Sequence, residues 1–177
     1  MREAMVQTLI RERMEHVRGL LPDGVYARIH ETMPILCVDV VPVVGKSVAL
    51  VRRGRMPGKG KWWFPGGRVR RGEVLEDAAR RLLLDEMQAK LRRARFLGVI
   101  ECQFGKEDPF GHGKGTHTVS VVYGAEMMPG GVTLDANHIE WGLWRPGEHP
   151  LPEESLDVGM VKALSERAIQ ALEGAGR

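Results

Sequence analysis

An α/β fold with a mixed central sheet between helices is what this chain of 177 residues predicts, and three features carry that reading. Ile35 to Val44 is a nearly unbroken apolar, β-branched run, as a strand covered on both faces requires. Phe64 to Met87 passes from an apolar strand end through the pair Gly66-Gly67 into a helical stripe of Leu75, Ala78, Ala79, Leu82 and Leu83. Phe96 to Phe104 and Thr116 to Glu126 then alternate apolar and polar residues, as paired antiparallel strands do. The length suits one domain with one core.

Taken in order, the first element is an amphipathic helix over residues 2–21, with Val6, Leu9, Ile10, Met14, Val17 and Leu21 on one face and Pro22-Asp23-Gly24 as its stop. It reads as an addition, residues 1–22, to a domain of residues 23–177. Its apolar face is expected to pack on the domain or across a dimer. The run Ile35 to Val44 forms a central strand, and Lys46 to Arg53 returns beside it as a hairpin. Trp62-Trp63-Phe64-Pro65 leads into the double glycine, mostly as packing, with one ring able to stack on a base. After the main helix and the two alternating strands, Ser155 to Leu172 is a C-terminal amphipathic helix resting on Val158, Val161, Leu164, Ile169 and Leu172.

Several classes are set aside. No stretch approaches the ~20 apolar residues of a membrane span. The first twenty residues mix Arg and Glu, so no secretory leader is expected. Cys37 and Cys102 lack metal-type spacing and suggest free thiols in a reducing, cytoplasmic compartment. The net charge is only +3, but from Arg52 to Arg71 eight basic residues (Arg52, Arg53, Arg55, Lys59, Lys61, Arg68, Arg70, Arg71) stand without one acid. A phosphate-rich ligand is the natural partner of such a stretch. No aromatic platform or groove-binding helix accompanies the charge, so nucleic acid is not the expected partner.

Chemistry concentrates at a few positions. Glu86 continues the apolar stripe of the main helix, and a carboxylate turned toward a core needs a partner or a metal. Asp85 stands beside it on the helix surface. Asp39 is the one charge in the central strand and should face a polar cavity or an Arg. Arg68 follows the double glycine, where an Arg has little structural purpose. Arg81 sits one turn from Asp77 and Asp85, so a helix ion pair is open to it as well. The loop Gly105 to Gly115 holds four glycines and a proline and carries His112, with His117 just beyond, as candidates for ligand contact. Asn137-His138 lies just before the apolar, Trp-bearing segment of Trp141 and Trp144.

The stretch Phe64 to Met87 resembles the Nudix box, the loop-helix signature of hydrolases acting on nucleoside diphosphates linked to another group. Gly67, Glu73 and Arg81 fall on the box spacing, with Asp85 and Glu86 at its closing acidic pair. Leu82 replaces the Glu that usually follows the Arg, and Gln88 replaces a late Gly. Within the family the chain is most similar to the GDP-mannose mannosyl hydrolases, which share Pro-Gly-Gly-Arg-Val, an apolar residue after the box Arg and a single late metal-binding Glu. The resemblance covers roughly residues 22 to 170.

That resemblance implies an α/β/α sandwich and a likeness-based set of roles. Glu86, the Gly66 carbonyl and Asn137 would hold Mg²⁺ (or Mn²⁺), with Asp85 as a second ligand. Arg53, Arg68 and Arg81 would bind the diphosphate, Asp39 would line the sugar pocket, and His138 would be the general base. Water would attack the sugar C1 of a GDP-mannose- or GDP-glucose-like substrate, giving nucleoside diphosphate and free sugar. The resemblance also implies a homodimer, with a nucleotide sugar rather than nucleic acid or membrane as partner. Cys102 and Thr118 stand where the family has His and Tyr, so the sugar is left undefined. Two other readings stay open: a pyrophosphatase attacking phosphorus, with Asp85 supplying the extra ligand, and a non-catalytic Nudix-fold nucleotide-binding module.

Overall fold

A computed structural model describes residues 21–128 and 130–174. The helix expected over 2–21 lies outside the described residues, apart from Leu21. The first described helix is α1, Asp23–Thr32, and it begins where the sequence was read as a stop. Pro22 occupies its N-cap, and its carbonyl accepts the N–H groups of Val25 and Tyr26, both at 3.0 Å. Proline suits a helix start because no N–H is needed there, and Asp23 in the first turn suits the positive end of the dipole.

The strands are β1 (Ile35–Val44), β2 (Ser47–Arg53), β3 (Trp62–Trp63), β4 (Gly66–Arg68), β5 (Leu91–Phe104), β6 (Thr116–Met127) and β7 (His138–Trp144). Helix α2 spans Leu75–Met87 and α3 spans Val158–Glu173. The seven strands form one sheet in the order β3-β2-β1-β6-β5, with β4 added to β1 and β7 added to β2. β1 runs parallel to β6 and antiparallel to β2 and β4, which makes the sheet mixed, as expected.

Residue parity along β1 assigns the two faces. Val38 and Val40 join Ala78, Ala79, Leu82, Leu83 and Met87 of α2 in one core. Val41 and Val43 join Val161, Leu164, Ala168 and Leu172 of α3 in the other. Helix α3 is started by Asp157, whose side chain accepts the Met160 N–H at 2.8 Å. Among the described residues no helix is long and apolar enough to cross a membrane.

One edge of β1 is shared by two partners. Val43 and Val44 pair with β2, whereas Cys37, Val38 and Asp39 pair with Arg68, Gly67 and Gly66 of β4. Between these pairings the hairpin diverges from β1, and the odd-numbered residues Ile35, Cys37 and Asp39 face a cavity instead of α3.

The turn between β4 and α2 is fastened by Arg81. Its guanidinium forks onto Glu73, with Nε to Oε1 at 2.6 Å and Nη2 to Oε2 at 2.8 Å, and also reaches the Arg68 carbonyl at 3.1 Å. The Glu73 side chain is 2% exposed and accepts the Arg70 N–H at 2.9 Å as well. Burial alone would raise the Glu73 carboxyl, but the bonds from Arg81 and Arg70 outweigh it and hold it below the usual range. Stability from this pair is therefore complete above the ordinary glutamate value of about 4.3 and fades as pH falls through the lower folded-state value. Arg81→Ala should cost about 3 kcal/mol at neutral pH, the scale for breaking a buried pair. Urea unfolding of both proteins should show the gap narrowing in acid. A neutral-pH loss under about 0.5 kcal/mol would instead class the pair with ordinary surface bridges.

Candidate active site

A cavity of about 830 Å³ opens over the parallel β1–β6 pair. Cys37, Asp39, Cys102, Thr118 and Ser120 line its floor from β1, β5 and β6. Gly66, Gly67 and Arg68 from β4, Glu86 from α2, and Asn137 and His138 at the start of β7 line one side. Asp23, Tyr26 and His30 from α1, with Pro109 and Phe110 from the β5–β6 loop, line another. Of the residues singled out in the sequence, Asp39, Arg53, Gly66, Arg68, Glu86, Asn137 and His138 thus share one cavity.

Glu86 enters from the face that carries α2, through the glycines of β4. Its Oε2 accepts the Gly66 N–H at 3.0 Å. A Cβ at Gly66 would overlap the Asp39 carboxylate, and one at Gly67 would lie 3.0 Å from Leu82 and 3.8 Å from Glu86 Oε1. Glycine at both positions therefore leaves the opening through which the carboxylate meets the cavity. Burial drives the Glu86 carboxyl up to about 8; Asp135 and Asp39 add to the rise, and the Gly66 N–H and Arg53 offset part of it. Burial likewise lifts Asp39 to about 6, against Ser120, Arg53 and Trp63. Two buried carboxyls whose ionisation is opposed by burial make an environment that favours a cation. The neighbouring donors are oxygens, which fits a hard divalent ion such as Mg²⁺.

His138 is held through Nδ1, and its Nε2 faces Glu86. Nδ1 lies 2.7 Å from Asp135 Oδ1, and Nε2 lies 3.6 Å from Glu86 Oε2. Asp135 also accepts the Asn137 N–H at 3.0 Å and the Asn137 side-chain amide at 2.6 Å. The Asn137 carbonyl in turn accepts the Gly54 N–H at 2.7 Å. One carboxylate thus sets the tautomer and orientation of the imidazole and the shape of its loop. Asp135 carries no role in the sequence reading; its only signal is an acid three residues before the His in an irregular segment.

Arg53 stands opposite His138 across β2 and β7, where the register shifts between Arg52 and Arg53. Such an irregularity re-aims a side chain, here from the ladder toward the cavity. Arg53 Nε donates to the Pro57 carbonyl at 2.7 Å. Arg68 lies over the Tyr26 ring, 5.1 Å from its centre. Arg53, Arg55, Lys59 and Arg68 all line the cavity, and none has a carboxylate within 4.0 Å among the described residues.

Four expected residues are placed elsewhere. Arg81 is not among the cavity-lining residues; its fork is taken by buried Glu73. Asp85 is half exposed on the outer face of α2, 3.6 Å from Arg81 and 3.9 Å from Arg70. His117 lies 3.0 Å from Glu101 on β5 rather than in the cavity. His112 sits on His30 of α1, with their ring nitrogens 2.9 Å apart. The thiols are chemically quiet: burial pushes Cys37 up to about 12 and raises Cys102 as well.

Comparison with known proteins agrees with this architecture. The glycan biosynthesis protein Agl8 of Haloferax volcanii is 27% identical over 140 residues, covering 77% of this chain and 89% of that protein. A MutT NUDIX hydrolase from Burkholderia pseudomallei superposes with a TM-score of 0.61 at 25% identity, over 75% of this chain and 98% of that one. The NUDIX domain of Shewanella oneidensis NrtR, solved with ADP ribose, gives a TM-score of 0.59 at 19% identity, over 82% of this chain and 97% of that one. The model of the NUDIX domain matches residues 33–164, and the chain belongs to that family.

Proposed function

We propose that the protein is a divalent-metal-dependent hydrolase of a nucleoside-diphosphate sugar, acting by attack of water on the sugar C1. The observation that carries the reading is the set of charges gathered in one cavity. Four cations with no carboxylate within 4.0 Å among the described residues line it, together with two buried carboxyls and a carboxylate-held imidazole. The cations suit a diphosphate, and the carboxyls and imidazole suit a metal and a water nucleophile. The name of the relative Agl8 places that protein in glycan biosynthesis, which agrees with a sugar-linked substrate.

Glu86, the Gly66 carbonyl and the Asn137 amide oxygen are the donors that would hold Mg²⁺ or Mn²⁺, which would neutralise the diphosphate and ease its departure. Arg53 and Arg68 bind the diphosphate and stabilise the charge that grows on it as the C–O bond breaks. His138 accepts the proton of the attacking water at Nε2, while Asp135 holds Nδ1 and steadies the resulting imidazolium. Asp39, on the cavity floor with Ser120, offers an acceptor to sugar hydroxyls. The products are a nucleoside diphosphate and a sugar with inverted anomeric configuration. Attack at phosphorus is less well supplied, because Asp85, the extra ligand that reading needs, does not line the cavity and lies near Arg81 and Arg70.

The test is a panel of nucleotide sugars with Mg²⁺, read by ³¹P NMR. A diphosphate product is expected; a monophosphate together with a sugar phosphate would overturn the reading. Glu86→Gln keeps an acceptor for the Gly66 N–H yet should lower kcat by about 10³-fold or more. His138→Ala should lower kcat by about 10²- to 10⁴-fold, the range for a lost general base.

The arginines give a separate prediction. Arg68→Lys keeps the charge but loses the planar fork, and should fall well short of wild-type kcat/KM. Arg68→Ala should fall further, and inorganic pyrophosphate should inhibit it less than wild type. Equal inhibition of both proteins by pyrophosphate would remove Arg68 from the phosphate site.

A further inference from the structure

Beside the cavity, next to its lining residue His30, three side chains of metal-ligating type converge that the proposed reaction does not use. His30 comes from α1, and Asp108 and His112 come from the β5–β6 loop. A ring nitrogen from each histidine and a carboxylate oxygen of Asp108 all lie within 4.8 Å of one another. His30 Nδ1 is 2.9 Å from His112 Nε2, and His112 Nδ1 is 3.1 Å from Asp108 Oδ2. His30 is 8% exposed, and the side chains of His112 and Asp108 are 11% and 9% exposed.

The surroundings preorganise this cluster. Asp108 accepts the N–H groups of Phe110 at 2.9 Å, Gly111 at 3.0 Å and Gly113, so the loop is folded around its carboxylate. Gly111, Gly113 and Gly115 all hold positive φ, which lets the loop turn that sharply. Tyr26 and Phe110 wrap His30 edge-on, with ring centres 6.1 and 5.1 Å from its own. His112 Nδ1 lies 3.2 Å from the Lys114 amide nitrogen and 3.1 Å from Asp108 Oδ2, so the loop holds the ring on that side.

We propose that His30, His112 and Asp108 form a second metal site, selective for an imidazole-preferring divalent ion of the Zn²⁺ class and separate from the Glu86 site. Two imidazoles and one carboxylate favour such an ion over Mg²⁺, which prefers an all-oxygen shell. Ligand atoms about a tetrahedral Zn²⁺ stand roughly 3.3 Å apart. The His30 Nδ1–His112 Nε2 spacing of 2.9 Å therefore needs to open by only a few tenths of an ångström, while the Asp108 carboxylate, which stands against the other ring nitrogen of His112, has to turn toward them within the 4.8 Å cluster. His30 lines the cavity, so an ion can enter from that side and keep one position open to it. Bound there, it ties α1 to the loop and fixes the wall that faces the substrate.

The test is Zn²⁺ binding to the full chain by equilibrium dialysis in millimolar Mg²⁺, with Co²⁺ absorption as a report of coordination. Wild type and Glu86→Gln should each hold one Zn²⁺ per chain. His30→Ala and His112→Ala should each bind at least ~100-fold more weakly, the scale for losing a ligand or its support. His30→Gln and His112→Gln, which keep a hydrogen-bonding side chain, should behave alike, with circular dichroism verifying their folds. At ~100 times Kd, Zn²⁺ should raise the Tm of wild type by about 5 °C or more and leave the histidine variants unchanged. Stoichiometric Zn²⁺ that survives in folded histidine variants but is lost in Glu86→Gln would overturn the proposal. So would wild type that binds no Zn²⁺ below about 1 mM, leaving the cluster a hydrogen-bonded latch. Neither result depends on which substrate is cleaved.

Discussion

The carboxylate of Glu86 meets the backbone N–H of Gly66, and most of the site's geometry follows from that contact. A helix on one face of the sheet can serve a cavity on the other only where a strand leaves room. Here β4 is short, glycine-paired and joined to β1 beside the diverging β2 hairpin. The buried Glu73–Arg81 fork then locks the turn that joins β4 to α2. Arg81 thus acts on the site at one remove, by holding the Arg68 carbonyl and the start of the helix.

Charges of both signs line the cavity. Glu86 and Asp39 are kept reluctant to ionise by burial, and Arg53 is the cation that counters both. Arg68, Arg55 and Lys59 have no carboxylate within 4.0 Å among the described residues. Such a distribution is costly in an empty protein and is relieved when a metal and an anionic ligand enter together. In the proposed reaction this coupling joins metal and diphosphate as one bound unit. The Asp135–His138 pair lies across the β2–β7 ladder from Arg53, with Nε2 of His138 left for the water.

Much of this was legible in the sequence, for identifiable reasons. The β1 run and the α2 stripe have strong periodicity, so both elements and their faces follow directly. Glu86 and Asp39 announce themselves as charges inside apolar patterns. Helix α1 was hidden because Pro22-Asp23-Gly24 reads equally as the end of one helix or the start of another. Arg81 had competing partners on paper, and only the burial of Glu73 decides among them. Asp135 lies in an irregular segment, where no period marks which way a side chain points. His30 and His112 are 82 residues apart, and only the packing of the loop on α1 brings them together.

The central claim is that His138 activates water against carbon rather than phosphorus. The most direct measurement is hydrolysis of a cleaved nucleotide sugar in ¹⁸O-labelled water with Mg²⁺, with both products read by mass spectrometry. The account predicts label in the free sugar and none in the nucleoside diphosphate. Label in a phosphate, with a nucleoside monophosphate as product, would contradict it.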